Sequence, residues 1–331
     1  MNDLSGERQA GHAAAGVDRR TFVRRACASA MAAALPSAGG SPARAEQAAP
    51  VQSAQPLPHI TIGGVSIPRM VVGCNPIGGW SHQIRNMTTA MLDYYNLENT
   101  ISFLQRCEQA GLDTWLGYWN EKPQKALKAL WAQGSKLRVY FAGGLGDDGA
   151  INRDMLEYKP IFLYHHGNTT DTLFRLGKQS QVHDYVKKIH DQLHIPVGIG
   201  AHNPDCIKYA EEHGWEADFY MGCLYNLTRP KEEIRAKLGG APLGEPFLDS
   251  DRDAMLGVIR QVKKPCLAFK ILGAGWHCND DSQVEEAFQY ALTNIKKTDG
   301  IIVGMWPKYR DEISQNVALL RKYGSAGSGA A

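Results

Sequence analysis

Four kinds of side chain in this sequence stand where they could move protons: the histidines His165, His166 and His202, Lys270, Tyr118 and Asp113. Imidazole changes charge near neutrality, so histidine serves as acid or base without special tuning. A phenol or an ammonium titrates near ~10 and needs a neighbouring charge or burial to work at pH 7. Lys270 would form a Schiff base with a carbonyl if burial lowered its pKa; a buried lysine paired to a carboxylate is the alternative. His165, His202 and Asp113 together resemble a mixed metal set. No second acidic residue stands beside the histidines, and no compact Cys/His spacing marks a zinc site, so no metal is expected.

These residues follow or end short apolar runs. The runs are 70–74, 114–118, 137–142, 160–164, 196–200, 218–224, 265–272 and 300–305. Continuous hydrophobic runs of this length fit strands buried on both faces of a parallel sheet. Amphipathic stretches lie between most of them, at 98–109, 122–133 and 183–193, a last one follows at 311–320, and Ser282 to Glu285 reads as a capping box. The 148–158 connection is the weakest helix, and 226–264 is long enough to cover one end. Eight such units predict an α/β fold, a (β/α)8 TIM barrel preceded by a β-hairpin at 59–67. A barrel carries its chemistry at the C-terminal strand ends. Here those ends hold Asn75, His82, Tyr118, Asn120, His165, His166, His202, Asn203, Tyr225, Asn226, Lys270, Lys308 and Arg310.

The N-terminus reads Arg19-Arg20-Thr21-Phe22, then a weakly apolar run to Leu35 and Ala43-Arg44-Ala45. That is a secretory pattern, similar to a twin-arginine (Tat) signal, and it is too short for a permanent membrane helix. The expected organisation is a signal peptide over 1–45, an unpacked Pro/Gln/Ala-rich linker over 46–58, a barrel over 59–324 and a disordered tail over 325–331. Export to the periplasm, or otherwise out of the cytoplasm, by the Tat machinery follows from that reading. Beyond residue 45 the chain holds 30 basic against 31 acidic residues, which argues against a nucleic-acid partner. A small-molecule substrate is expected instead. Six of the seven cysteines lie beyond the leader, and those in strand-like runs are expected to be free thiols.

At the second strand, Asp113-Thr114 is followed by Tyr118, Asn120 and Glu121, which resembles the aldo-keto reductase superfamily. Leu163-Tyr164-His165, Ile199-Gly200-Ala201-His202-Asn203, Tyr225-Asn226-Leu227, Ala268-Phe269-Lys270 and the segment Glu312 to Asn316 are similar to successive strand ends of that family. The resemblance, to a divergent, exported member, implies NADP(H)-linked interconversion of a carbonyl and an alcohol on a small, sugar-like substrate. By position it implies Tyr118 as general acid, Asp113 as its supporting carboxylate, His165 as the orienting group (His166 if the register is one residue off) and Lys270 as a replacement cation. It implies cofactor contacts from His202, Asn203, Phe269, Lys308, Arg310 and Asn316.

The pattern also departs from the family. Where the family's lysine belongs, at the end of the third strand, the chain reads Ala142-Gly143-Gly144, and Gly222 stands where a glutamine is expected. Without that cation the Tyr118 pKa stays high. Two other readings therefore stay open: a lyase, isomerase or hydrolase on the same barrel using His165, His202 and Lys270, and a binding protein without catalysis.

Overall fold

The computed structural model describes residues 56–146 and 149–325. The expected leader, most of the expected linker and nearly all of the expected tail, with Cys27, lie outside the described residues. Strands β1 (His59–Ile62) and β2 (Val65–Pro68) form an antiparallel hairpin. Eight parallel strands follow: β3 (Met70–Val72), β4 (Thr114–Leu116), β5 (Arg138–Ala142), β6 (Leu163–His165), β7 (Val197–Ala201), β8 (Phe219–Cys223), β9 (Cys266–Phe269) and β10 (Gly300–Val303). They close in chain order, β10 pairing with both β3 and β9. This is the expected TIM barrel.

Alternation along the strands divides the core in two. Val71, Leu116, Tyr140, Phe162, Tyr164, Phe219, Met221, Leu267 and Ile302 form one cluster with Ile60, Ile62 and Ile67 of the hairpin. The hairpin residues thus join the cluster that fills the barrel and plug its lower end. The other strand residues pack with the helices in a second, larger cluster. Burying apolar surface on both faces stabilises by about 25 cal/mol per Å2 and explains why the strands read as unbroken apolar runs.

The helices are set by local chemistry. Asn96, Asn120, Asn152, Asn203, Asp280 and Asp311 each cap a helix by accepting from a backbone N–H of its first turn. The expected box at Ser282 is displaced: Asp280 caps Gln283, and the Ser282 hydroxyl donates to Asp280 at 2.7 Å. An aspartate accepts the orphan N–H as well as serine and adds a favourable charge. The linker also packs at its end, where Leu57 is buried and Pro58 accepts from Arg69 N, because the hairpin anchors the chain there. All six described cysteines are free. No described helix is long and apolar enough to cross a membrane.

Candidate active site

A cavity of about 640 Å3 opens beside the C-terminal ends of β3, β9 and β10. Gly73 makes room for it: a Cβ there would stand 2.8 Å from Gly304 N, so only glycine lets β3 and β10 approach this closely. Lys270 and His82 line the cavity. Lys270 Nζ lies 2.9 Å from His82 Nε2, and Asn75 Nδ2 lies 3.0 Å from the same atom. On the other side of the imidazole, Nδ1 lies 2.9 Å from a Glu245 carboxylate oxygen. Two donors at Nε2 and a carboxylate at Nδ1 select the neutral tautomer with its proton on Nδ1. The hydrogen bond from His82 holds the Glu245 carboxyl below the ordinary range.

Both residues carry backbone strain. His82 has φ 56° and Lys270 has φ 60°, the left-handed region that non-glycine side chains seldom adopt. Such conformations cost of order 1–3 kcal/mol each and persist where surrounding structure imposes them. Here the strain turns two side chains from elements 188 residues apart onto one another.

The neighbouring rim adds a second imidazole pair. His202 Nδ1 lies 2.9 Å from Asp171, whose carboxylate also accepts from the backbone N of His202 and Asn203 and from Thr228 Oγ1. Asp171 is almost fully buried, so this network fixes the His202 ring and leaves Nε2 without a hydrogen bond to the described residues. The ring meets Phe269, a cavity-lining residue, edge-on at 5.6 Å. His166 is exposed at the rim, and crowding by the surrounding protein first, then the nearby His202 and Lys270, hold it below its ordinary pKa.

The structure divides the residues singled out by sequence. Asp113 precedes β4 at the barrel's lower end and is bonded to Arg138 at 2.7 Å, the length of the strand away from Tyr118. It is no partner for the phenol. His165 points outward, because Tyr164 takes the inward position on β6. Its Nδ1 bonds Thr170 at 2.7 Å, its ring meets Tyr185 in the helix layer, and burial pushes its pKa down to about 4. The one-residue alternation of a strand gives the mouth to His166 instead. Tyr118 lies beside the cavity rather than in its lining: Trp80 meets it edge-on at 4.8 Å, and its hydroxyl is 3.5 Å from Ile77 O. Burial raises its pKa. Tyr118 and His165 therefore do not share one space.

Among the expected cofactor contacts, Phe269, Arg310 and Asn316 line the cavity. Asn203 is spent as a helix cap, its Oδ1 accepting from Asp205 N. Lys308 lies over the Trp306 and Tyr309 rings. A Cβ at Gly222 would meet Met255 at 2.9 Å, so that position faces a helix and no glutamine could reach the mouth from it. A nicotinamide cofactor held in the family's manner thus does not fit these residues: the phenol stands outside the cavity lining, Asp113 and His165 face other compartments, and Asn203 caps a helix. Among the described residues no group of three or more His, Cys, Asp or Glu is placed to hold a metal.

Sequence reasoning missed Glu245, Asp171 and Lys122. Glu245 sits in the long β8–β9 connection, and Asp171 lies within the helix Gly167–Arg175, with no spacing that ties either to its histidine. Lys122 Nζ donates to Ile77 O at 2.7 Å, the carbonyl that Tyr118 also approaches, and to Tyr95 O at 2.8 Å. Its place at the start of a helix, four residues after Tyr118, was the available signal.

No family model matches the chain, and no curated protein matches it. Among solved structures, a truncated 3-deoxy-D-arabino-heptulosonate 7-phosphate synthase from Thermotoga maritima matches with a TM-score of 0.44 at 12% identity, over 82% of this chain and 96% of that one. A thermostable aldo-keto reductase bound to the inhibitor epalrestat matches at 0.46 and 12% identity, over 80% and 94%. Dihydropteroate synthase from Xanthomonas albilineans matches at 0.45 and 12% identity, over 81% and 97%. These neighbours include an aldo-keto reductase without singling that family out, and at such scores they carry no argument about chemistry.

Proposed function

We propose that the protein is an enzyme that moves protons on a small carbonyl compound, as an isomerase or lyase does, with no nicotinamide cofactor. The observation that carries this reading is the chain Glu245–His82–Lys270, ending in an ammonium inside the cavity. Lys270 is the group that meets substrate: once its ammonium has passed a proton to His82, the neutral amine takes the proton from the carbon beside the carbonyl, and the resulting ammonium donates to the carbonyl oxygen. His82 takes that proton at Nε2, and Glu245 stabilises the imidazolium through Nδ1. Glu245 is a positioning residue. His202, oriented by Asp171, keeps its Nε2, which bonds no described residue, for a second proton transfer from the neighbouring rim.

The exported, NADP(H)-linked oxidoreductase expected from the aldo-keto resemblance is supported less well. It needs Tyr118 beside a cation and a carboxylate, and Asp113 stands at the opposite end of β4. Lys122 near Tyr118, and Phe269, Arg310 and Asn316 on the cavity wall, are the features in its favour.

One experiment separates the two. Purified protein is incubated in D2O with small hydroxy-carbonyl compounds, and deuterium entry at the carbon beside the carbonyl is followed by NMR. Exchange without nucleotide, lost in Lys270→Met and His82→Asn, is the expected result. NADPH oxidation at 340 nm with no exchange would sink the proposal. The Tat leader remains part of the proposal: Arg19→Lys with Arg20→Lys should retain the protein in the cytoplasm, as read by cell fractionation.

A further inference from the structure

The far end of the cavity, where β10 runs into the helix Glu312–Tyr323, is built differently from the relay end. Barrel enzymes often hold a phosphate there, on backbone N–H groups beyond the last two strands and at a helix start. In this chain that place is already filled by acid. Trp306 N donates to Glu312 Oε2 at 2.6 Å, and Asp311 caps the same helix by accepting from Ser314 N. Arg310 is engaged by Asp281 at 3.1 Å and by Cys278 O at 3.2 Å. A phosphate would meet two carboxylates at the helix start, and the nearest arginine is already committed.

What the far end offers instead is uncharged. Asn316 is 3% exposed, lines the cavity, and its carboxamide makes no hydrogen bond to any described residue. Its amide atoms face the cavity, while the Trp306 indole N–H beside it is buried and without a hydrogen bond among the described residues, so a ligand bearing both donors and acceptors finds partners here. Aromatic side chains flank it: Trp306 lines the cavity, while Trp80 at 46% exposure and Tyr309 at 75% stand at the mouth. Ring faces take C–H surfaces, and a carboxamide takes hydroxyls, each of which donates and accepts.

We propose that this cavity binds an uncharged saccharide, its hydroxyls on Asn316 and its ring face on the aromatic mouth, with its carbonyl end toward Lys270. This deepens the proton-transfer reading and rests on the same cavity being the site.

Binding to the full chain is measured by calorimetry and by tryptophan fluorescence, with D-glucose, D-galactose and cellobiose against glucose 6-phosphate and NADPH. A neutral sugar should bind at least about tenfold tighter than the phosphate or the dinucleotide. Asn316→Leu should weaken sugar binding by about tenfold. Trp80→Ala changes a half-exposed side chain, leaves the fold out of question, and should weaken binding by several-fold. Tighter binding of glucose 6-phosphate or NADPH, or no saturable binding of any neutral sugar, would overturn the inference. Deuterium exchange on a phosphorylated ketone without sugar binding would sink this inference and spare the proton-transfer reading. Sugar binding with no exchange would do the reverse.

Discussion

The two ends of the barrel hold their charges in opposite ways. At the lower end every charged group of the network has a fixed partner in the backbone or beside it. Arg69 is 2% exposed, and its guanidinium donates to the carbonyls of Asp299, Lys296 and Gly324. Asp299 accepts from Cys266 N and Lys296 N, and Arg138 joins Asp113 to Ser66 O of the hairpin. At the upper end Lys270 and His82 bond each other across an open cavity, from strained backbone. Charges tied to backbone carbonyls hold the plug in place; charges tied to one another beside empty space are available to a substrate. On the proposed reading, the difference separates stability from function within one fold.

The contrast can be broken most directly at Lys270. Lys270→Met should lower the exchange rate by about a thousandfold, near 4 kcal/mol, and leave the unfolding temperature almost unchanged. A variant that unfolds instead would make Lys270 a structural residue. Arg69→Met should do the opposite. Losing charged hydrogen bonds and leaving carbonyls unpaired should cost on the order of 3 kcal/mol in a denaturant titration, with exchange per folded molecule intact.

His165 sharpens the boundary through pH. Its pKa falls from 6.5 unfolded to about 4 folded, so the unfolded chain binds the extra proton first. The stability it contributes is complete above pH 6.5 and is lost as pH drops toward 4, on the order of 3 kcal/mol in all. His165→Phe should flatten stability across that window; an unchanged pH profile would mean that the ring is not buried neutral. Glu245→Gln should reduce the exchange rate by about tenfold and shift the acid limb of its pH–rate profile, because the carboxylate no longer supports a charged His82. An unshifted profile would leave Glu245 a simple loop tether. Smallest of all, Asp113→Asn should cost no more than about 1 kcal/mol, since the Arg138 pair is partly exposed, and should not change exchange. A large loss of activity there would restore the tyrosine-centred relay.

The barrel was legible because apolar runs of strand length and amphipathic stretches alternate along the chain, and each follows from local burial. Lys270, His82 and His202 were legible as polar ends of those runs. His165 and His166 could not be told apart from the run alone, since adjacent strand residues face opposite sides and a one-residue register decides between mouth and helix layer. Asp113 matched a motif by spacing, yet the five positions to Tyr118 span the whole strand. Glu245 had no signal: it meets His82 across 163 residues, from a connection whose path no periodicity encodes.

Sequence alone therefore determined the layer architecture and the polar character of the strand ends, because periodicity and burial act over a few residues. Which of those polar groups meet was decided only by closure of the barrel. Closure sets β10 between β9 and β3, turns His82 and Lys270 onto each other, and sends Asp113 and His165 to separate compartments. Pairings across more than a hundred residues depend on that geometry, which no local spacing carries.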